Sequence, residues 1–185
     1  MAVWKIPHAR LACILSVVGF TACAAFQREG TASQPTDGNI AAMFLAANNT
    51  DISYAQVAIA PGRTTTVAIL GFANRMLNDH GGLNKSAIEL FSNTGIVPED
   101  NTISLDFRDE SAAKRDTLRE RSGAVFDSTY MANEVRYHAR LLTVIDGVLI
   151  PAAKHPELKA MLTRVRPAVA AHLDHAQRVQ AGLGK

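Results

Sequence analysis

Cysteine is scarce: only Cys13 and Cys23 occur in 185 residues, both near the start, so no disulfide framework is available. Aromatic residues make up 6% of the chain, with a single Trp, against 48% hydrophobic residues. The interior must therefore be built mostly from Ala, Leu, Ile, Val and Met, which suits packed helices better than a sandwich of short strands. An excess of one charge is also missing. Lys+Arg at 19 against Asp+Glu at 17 leaves +2, too even to argue for nucleic acid or an anionic partner. There is no Gly-rich phosphate loop, no nucleophile elbow, no basic patch interleaved with aromatics and no internal repeat. Glu-x-x-His pairs, which dinuclear iron bundles take from two helices, are absent, so ferroxidase or oxygenase chemistry of that type is unsupported.

What is present begins with a basic head, Lys5, His8 and Arg10, followed by the apolar run Leu11 to Phe26. That run is too short to span a bilayer comfortably and has the shape of a secretory signal. Phe20-Thr21-Ala22-Cys23 is similar to a bacterial lipobox, with Phe where Leu is usual. The expectation is cleavage after residue 22 and lipidation of Cys23; ordinary cleavage and an uncleaved anchor are the alternatives. Loss of 1–22 removes Cys13, Lys5 and Arg10, so the mature charge is +2 − 2 = 0 and no thiolate chemistry is left in the body. Ala24 after the cysteine, rather than Asp, resembles an outer-membrane address. The polar stretch to Thr36 reads as a flexible tether, so that 23–36 carries the anchor and 37–181 the folded body.

Hydrophobic spacing predicts four long helices and one short one. The first, over 38–59 with Asp37 as its N-cap, places Ile40, Phe44, Ala47, Asp51, Ala55 and Ala58 on one face. The second, over 65–92, carries Ala73, Met76, Leu77, His80, Leu83, Ala87 and Leu90. Gly81-Gly82 interrupts it, at roughly 1 kcal/mol each relative to Ala, or else marks a tight contact. A short amphipathic helix over 106–121 is expected to cover one end of the bundle. The fourth, 124–150, has Met131, Val135, His138, Leu142, Ile145 and Leu149 inward and stops at Pro151. The last, 156–181, turns Leu158, Leu162, Val165, Val169, His172, Ala176 and Val179 inward, with a kink expected at Pro167.

In an up-down-up-down bundle rising about 1.5 Å per residue, His80 and His138 come out level. His172 falls about one turn away and Asp51 a turn or two. Three imidazoles and a carboxylate suffice chemically for Zn, Fe or Mn. The blander reading, preferred on spacing alone, is a buried polar network in which each histidine donates to a neighbouring oxygen and fixes helix register. Asp79 and Glu134 are candidate hydrogen-bond partners of these histidines, and His175 lies nearer the edge of its face. His8 and His155 are not ligand candidates.

These residues also carry a resemblance. The series Asp37-x-x-Ile40-Ala41-Ala42, Asn48-Asn49-Thr50-Asp51-Ile52 and Ala55-Gln56-Val57-Ala58 resembles the first helix of the bacterial "domain of unknown function 4142" family. Phe72-Ala73-x-Arg75-Met76-x-x-Asp79-His80 resembles its second helix. Ser122-Gly123-Ala124-x-Phe126-Asp127-x-x-Tyr130-Met131 through His138, then Pro156-Glu157-Leu158-Lys159, Pro167 and His172, continue the series. It covers about residues 37–180. The resemblance implies an all-α, ferritin-like up-down four-helix bundle with one extra short amphipathic helix, exported to the periplasm and commonly anchored to a membrane by an N-terminal lipid. It implies no reaction. Where that family usually has Glu, this chain has Asp51, one methylene shorter, and Pro61-Gly62-Arg63 replaces a helix-compatible link. The reading at this level is a non-enzymatic envelope lipoprotein with an internal histidine–carboxylate network, the alternative being a bundle that binds metal for storage, sensing or stress protection.

Overall fold

The computed structural model describes residues 34–183. The signal segment, the tether up to residue 33 and the lipidation expected at Cys23 lie outside the described residues. Among the described residues there are helices and no strands. They are α1 (Asp37–Ala58), α2 (Val67–Thr94), α3 (Thr102–Arg119), α4 (Gly123–Val144), a π-helical turn (Ile145–Leu149), α5 (Ile150–Ala152) and α6 (Pro156–Gly182). None of them is long and apolar enough to cross a membrane.

The helix starts follow side-chain chemistry. Thr36, not Asp37, caps α1: its hydroxyl accepts the Asn39 backbone N–H, and its own backbone N–H donates to Asn39 Oδ1. Both arrangements leave an acidic residue at the helix start, where the dipole favours it. Asp37 is thereby released, and its carboxylate accepts the backbone N–H groups of Lys154 and His155 at 2.8 and 3.0 Å. That contact ties the start of α6 to the start of α1. The short helix begins at Thr102 rather than Asp106, because Asn101 and Ser104 form a reciprocal capping box. The second helix passes through Gly81-Gly82 unbroken, and a Cβ at either glycine would meet nothing within 4 Å. The glycines therefore mark no tight contact; buried Met76, His80, Ala87 and Phe91 hold the helix on both sides of them.

Pro151 does not end the fourth helix cleanly. In a regular α-helix its ring would press on the Gly147 carbonyl, to which it has no N–H to give. The chain instead widens over Ile145–Leu149, with the Ile150 N–H bonded to the Ile145 carbonyl, and a last turn follows. One extra residue per turn removes the clash. In α6, Pro167 and Thr163 both lie on the exposed face, and the helix is continuous through them.

The order of the contacts sets the direction of each helix. Along α1 and α3 the pairs Asn39–Glu99, Thr50–Phe107, Ser53–Ser111 and Arg63–Arg119 rise together, so the two run parallel along their length. The short helix thus flanks α1 and does not cover an end. It also explains why α1 is buried nearly all round, with Ile40 to Phe44 almost wholly covered. Along α2 and α4 the pairs Thr66–Asp127, Phe72–Tyr130 and His80–His138 again rise together. These two helices are therefore parallel, and the up-down-up-down order is wrong: α3 carries the chain back before α4 begins. The helices pack as α1 against α2 and α3, α4 against α6, and α6 against α2. Fully buried Phe72, Phe107, Phe126, Tyr54 and Tyr130 fill the interior, each large apolar ring contributing roughly 1.5–3 kcal/mol by burial.

Candidate metal centre

His80 remains level with His138 despite the changed order, because it sits near the middle of a 28-residue helix, thirteen residues from Val67 and fourteen from Thr94. His138 is fifteen residues into its own helix, running in the same direction. Asp51 was expected off level and is not. It precedes the end of α1 by seven residues while His80 follows the start of α2 by thirteen, a difference of roughly 9 Å that the connection over 59–66 takes up. The Asp51 carboxylate oxygen Oδ2 lies 2.6 Å from His80 Nε2 and 3.4 Å from His138 Nε2. The shorter side chain therefore reaches both rings.

His80, His138 and His172 are 0–1% exposed, and their ring centroids are 5.1–5.9 Å apart. One ligand atom from each lies within 4.8 Å of the others, and the same holds for Asp51, Glu134 and His138. Four helices meet here, with α1 supplying Asp51, α2 His80, α4 Glu134 and His138, and α6 His172.

The hydrogen bonds assign the tautomers. His80 Nδ1–H donates to Asn48 Oδ1 at 2.7 Å, His138 Nδ1–H to the Glu134 carbonyl at 3.0 Å, and His172 Nε2–H to Asp79 Oδ2 at 2.8 Å. Each acceptor is an oxygen, so the remaining nitrogens, His80 Nε2, His138 Nε2 and His172 Nδ1, carry lone pairs. All three are buried without a hydrogen-bond partner, as are both oxygens of Asp51 and of Glu134. The close approach of Asp51 to His80 lacks hydrogen-bond alignment. The centre is therefore a cluster of acceptors facing acceptors, which is costly unless a cation lies among them.

Burial works against charge throughout. It raises Asp51, but the electrostatic attraction and hydrogen bonding that His80 and His138 offer when protonated outweigh it and hold that carboxyl well below its usual range. Burial and the neighbouring Asp51 charge push Glu134 well above its usual range. His172 is lowered to about 4 by burial, against the opposing effect of its hydrogen bond to Asp79. Asp79 itself is raised by burial but lowered overall by His172 and Arg75.

The remaining expected residues are placed as follows. Asp79 braces His172 from the surface side and also pairs with Arg75. Glu134, treated in the sequence only as a partner for His138, is itself buried against Asp51 and belongs to the centre. His175 packs its ring on Phe72 at 5.1 Å and joins neither group. Sequence reasoning passed over Asn48 and Tyr130. Asn48 braces His80, and the buried Tyr130 hydroxyl is unpartnered, its pKa pushed up by burial and by the charge of Glu134. Spacing held the signal for both, since Asn48 lies three residues before Asp51 and Tyr130 four before Glu134, on the same helix faces.

Fold and centre together define an all-α helical bundle with a buried cluster of imidazoles and carboxylates able to take up a metal ion. The chain belongs to the family described as a domain of unknown function (DUF4142), whose profile matches residues 21–179. Neither a curated protein nor a solved structure matches it.

Proposed function

We propose that this protein is a metal-binding bundle of the cell envelope, holding one divalent transition ion between His80, His138 and His172, with Asp51 as carboxylate ligand. One observation carries the reading: every imidazole is braced at one nitrogen by an oxygen and leaves the other as a buried, unpartnered lone pair. Metal-ligating histidines are oriented in this way, and Asp79–His172 has the form of a carboxylate–histidine brace. Both cysteines precede residue 34, so the donors are imidazole nitrogen and carboxylate oxygen, a set suited to Zn, Fe(II) or Mn(II). Charge favours a single ion. Ionised Asp51 and Glu134 balance one dication, whereas a second would leave two positive charges uncompensated in a sealed interior. A single sealed ion suits sensing or stress protection better than bulk storage.

Two antiparallel helix pairs joined by one long connection support a ferritin-like architecture. The signal-like segment and Cys23 support a lipid anchor at the membrane, on the periplasmic side and at the outer membrane. Fatty-acid labelling that persists in Cys23→Ala would remove that part of the reading.

The competing reading, a metal-free polar network, is favoured by the 2.6 Å approach of Asp51 to His80. A proton on His80 Nε2 would then be the cation. Elemental analysis of the full-length, untagged chain, purified without chelator, separates the two. The expected result is near one equivalent of Zn, Fe or Mn, lost in His80→Ala/His138→Ala while the helical signal persists. No stoichiometric ion after all three metals have been offered would leave the network in its place.

A further inference from the structure

The even overall charge conceals a local excess. At about 100° per residue, Ser53, Gln56 and Val57 lie on the face of α1 turned away from Asp51, and Ala60 follows just past the end of the helix. There they form, with Arg63, Arg115 and Arg119, a concave pocket of about 250 Å³ into which no acidic side chain projects. A second pocket of about 280 Å³ adjoins it along the α1–α3 groove, sharing Ser53 and Arg115 and adding Arg108. Arg115 lines both. Its Nε is buried without a hydrogen-bond partner, and the ion pairs among the described residues leave it out.

The neighbouring charges do not neutralise it. Arg63 spends Nη1 on the Arg119 and Arg121 carbonyls, closing the end of α3, and Arg63 Nε remains buried and unpartnered. Arg119 pairs with Asp116 at 3.3 Å, but both side chains are more than half exposed, where such a pair contributes little. Arg108 pairs with Asp100. Gln56 is exposed at the rim, and Val57 and Ala60 give a small apolar floor.

We propose that this groove binds a phosphoryl group, free or on a lipid head, with Arg115 and Arg119 as its charged ligands and Gln56 as a neutral donor. Guanidinium forks match phosphate oxygens two at a time, and several around one concavity suit the oxygens of a phosphoryl group better than a lone carboxylate. The site stands apart from the histidine centre and does not depend on it.

The test is isothermal titration of the full-length chain in non-ionic detergent, with inorganic phosphate in one arm and dihexanoylphosphatidylglycerol in the other. Saturable binding in either arm, weakened at least tenfold by R115Q or R119Q and only partly by R115K, is the expected result. The arm that binds identifies the source of the phosphate. Binding must persist in His80→Ala/His138→Ala, since its loss there would place the anion at the histidine centre and overturn the proposal. So would no binding in either arm, or wild-type affinity in both Gln variants. Helical circular dichroism confirms that each variant is folded.

Discussion

Replacing Glu134 by Gln tests the electrostatics of the centre most directly, because the change is nearly isosteric and its two effects have opposite signs. In the metal-free protein Glu134 is fully buried beside ionised Asp51, and both of its oxygens lack partners. Burial and that charge hold its carboxyl well above the usual value of 4.5. A carboxyl raised in the folded state contributes stability that is complete below its unfolded pKa and is lost as pH climbs towards the folded one. The loss amounts to about 1.4 kcal/mol for each pH unit above 4.5 within that window. Glutamine does not titrate. The stability of E134Q relative to wild type should therefore grow steadily between pH 5 and 7. Taking the difference cancels the other groups that titrate in this range, His172 among them. Urea unfolding of both proteins in excess chelator, at several pH values, measures it. With metal present the order reverses, because the variant has lost a charge that balances the ion. A pH-independent difference in the metal-free protein would refute the reasoning, since it would mean that Glu134 is ionised and satisfied in the fold.

Two further outcomes follow from the geometry. Asp79→Asn should weaken metal binding by about 10- to 100-fold while leaving the helices intact, because an amide no longer compels His172 to carry its proton on Nε2; nitrogen chemical shifts of His172 in the metal-free protein would report the change, and an unchanged tautomer and affinity would count against the brace. Gly38→Ala would place a Cβ 2.6 Å from the Val97 carbonyl oxygen, a backbone atom tied in place by the bond from Glu99 N–H to the Gly38 carbonyl. Overpacking of that kind costs about 1–3 kcal/mol, and a thermal midpoint equal to wild type would show that the loop over 97–99 is free to move aside.

The phase of three hydrophobic stripes was enough to turn His80, His138 and His172 inward, because a helical period of 3.6 leaves little choice once neighbouring core residues are known. Topology was not readable in the same way. The amphipathic pattern of α3 says that one face is covered, but not by which helix, so its run along α1 had no signature in the sequence. The reversal of α4 left the heights unchanged only because His80 sits mid-helix. Asp51 was misjudged for a related reason: the connection over 59–66 was treated as flat, and its rise along the bundle axis depends on tertiary contacts such as Arg63 with the end of α3. The π-helical turn was marked by Pro151, but a proline announces a disturbance without saying whether the helix will stop or widen. Glu134 was the hardest to read, since a lone glutamate on a helix is usually solvated and only the packing of α4 shows it sealed.

The distribution of donors along the chain gives the centre a mechanical meaning. Asp51 and His80 belong to one antiparallel pair, α1 and α2, whereas Glu134, His138 and His172 belong to the other, α4 and α6. An ion held by both pairs is a clasp across the seam between them, so parting the seam releases the ion as well as exposing apolar surface. If the centre takes up an ion as proposed, the two hairpins of the empty protein should open as separate units, each with its own exchange rate for buried amides, and loading should bring those rates to one value.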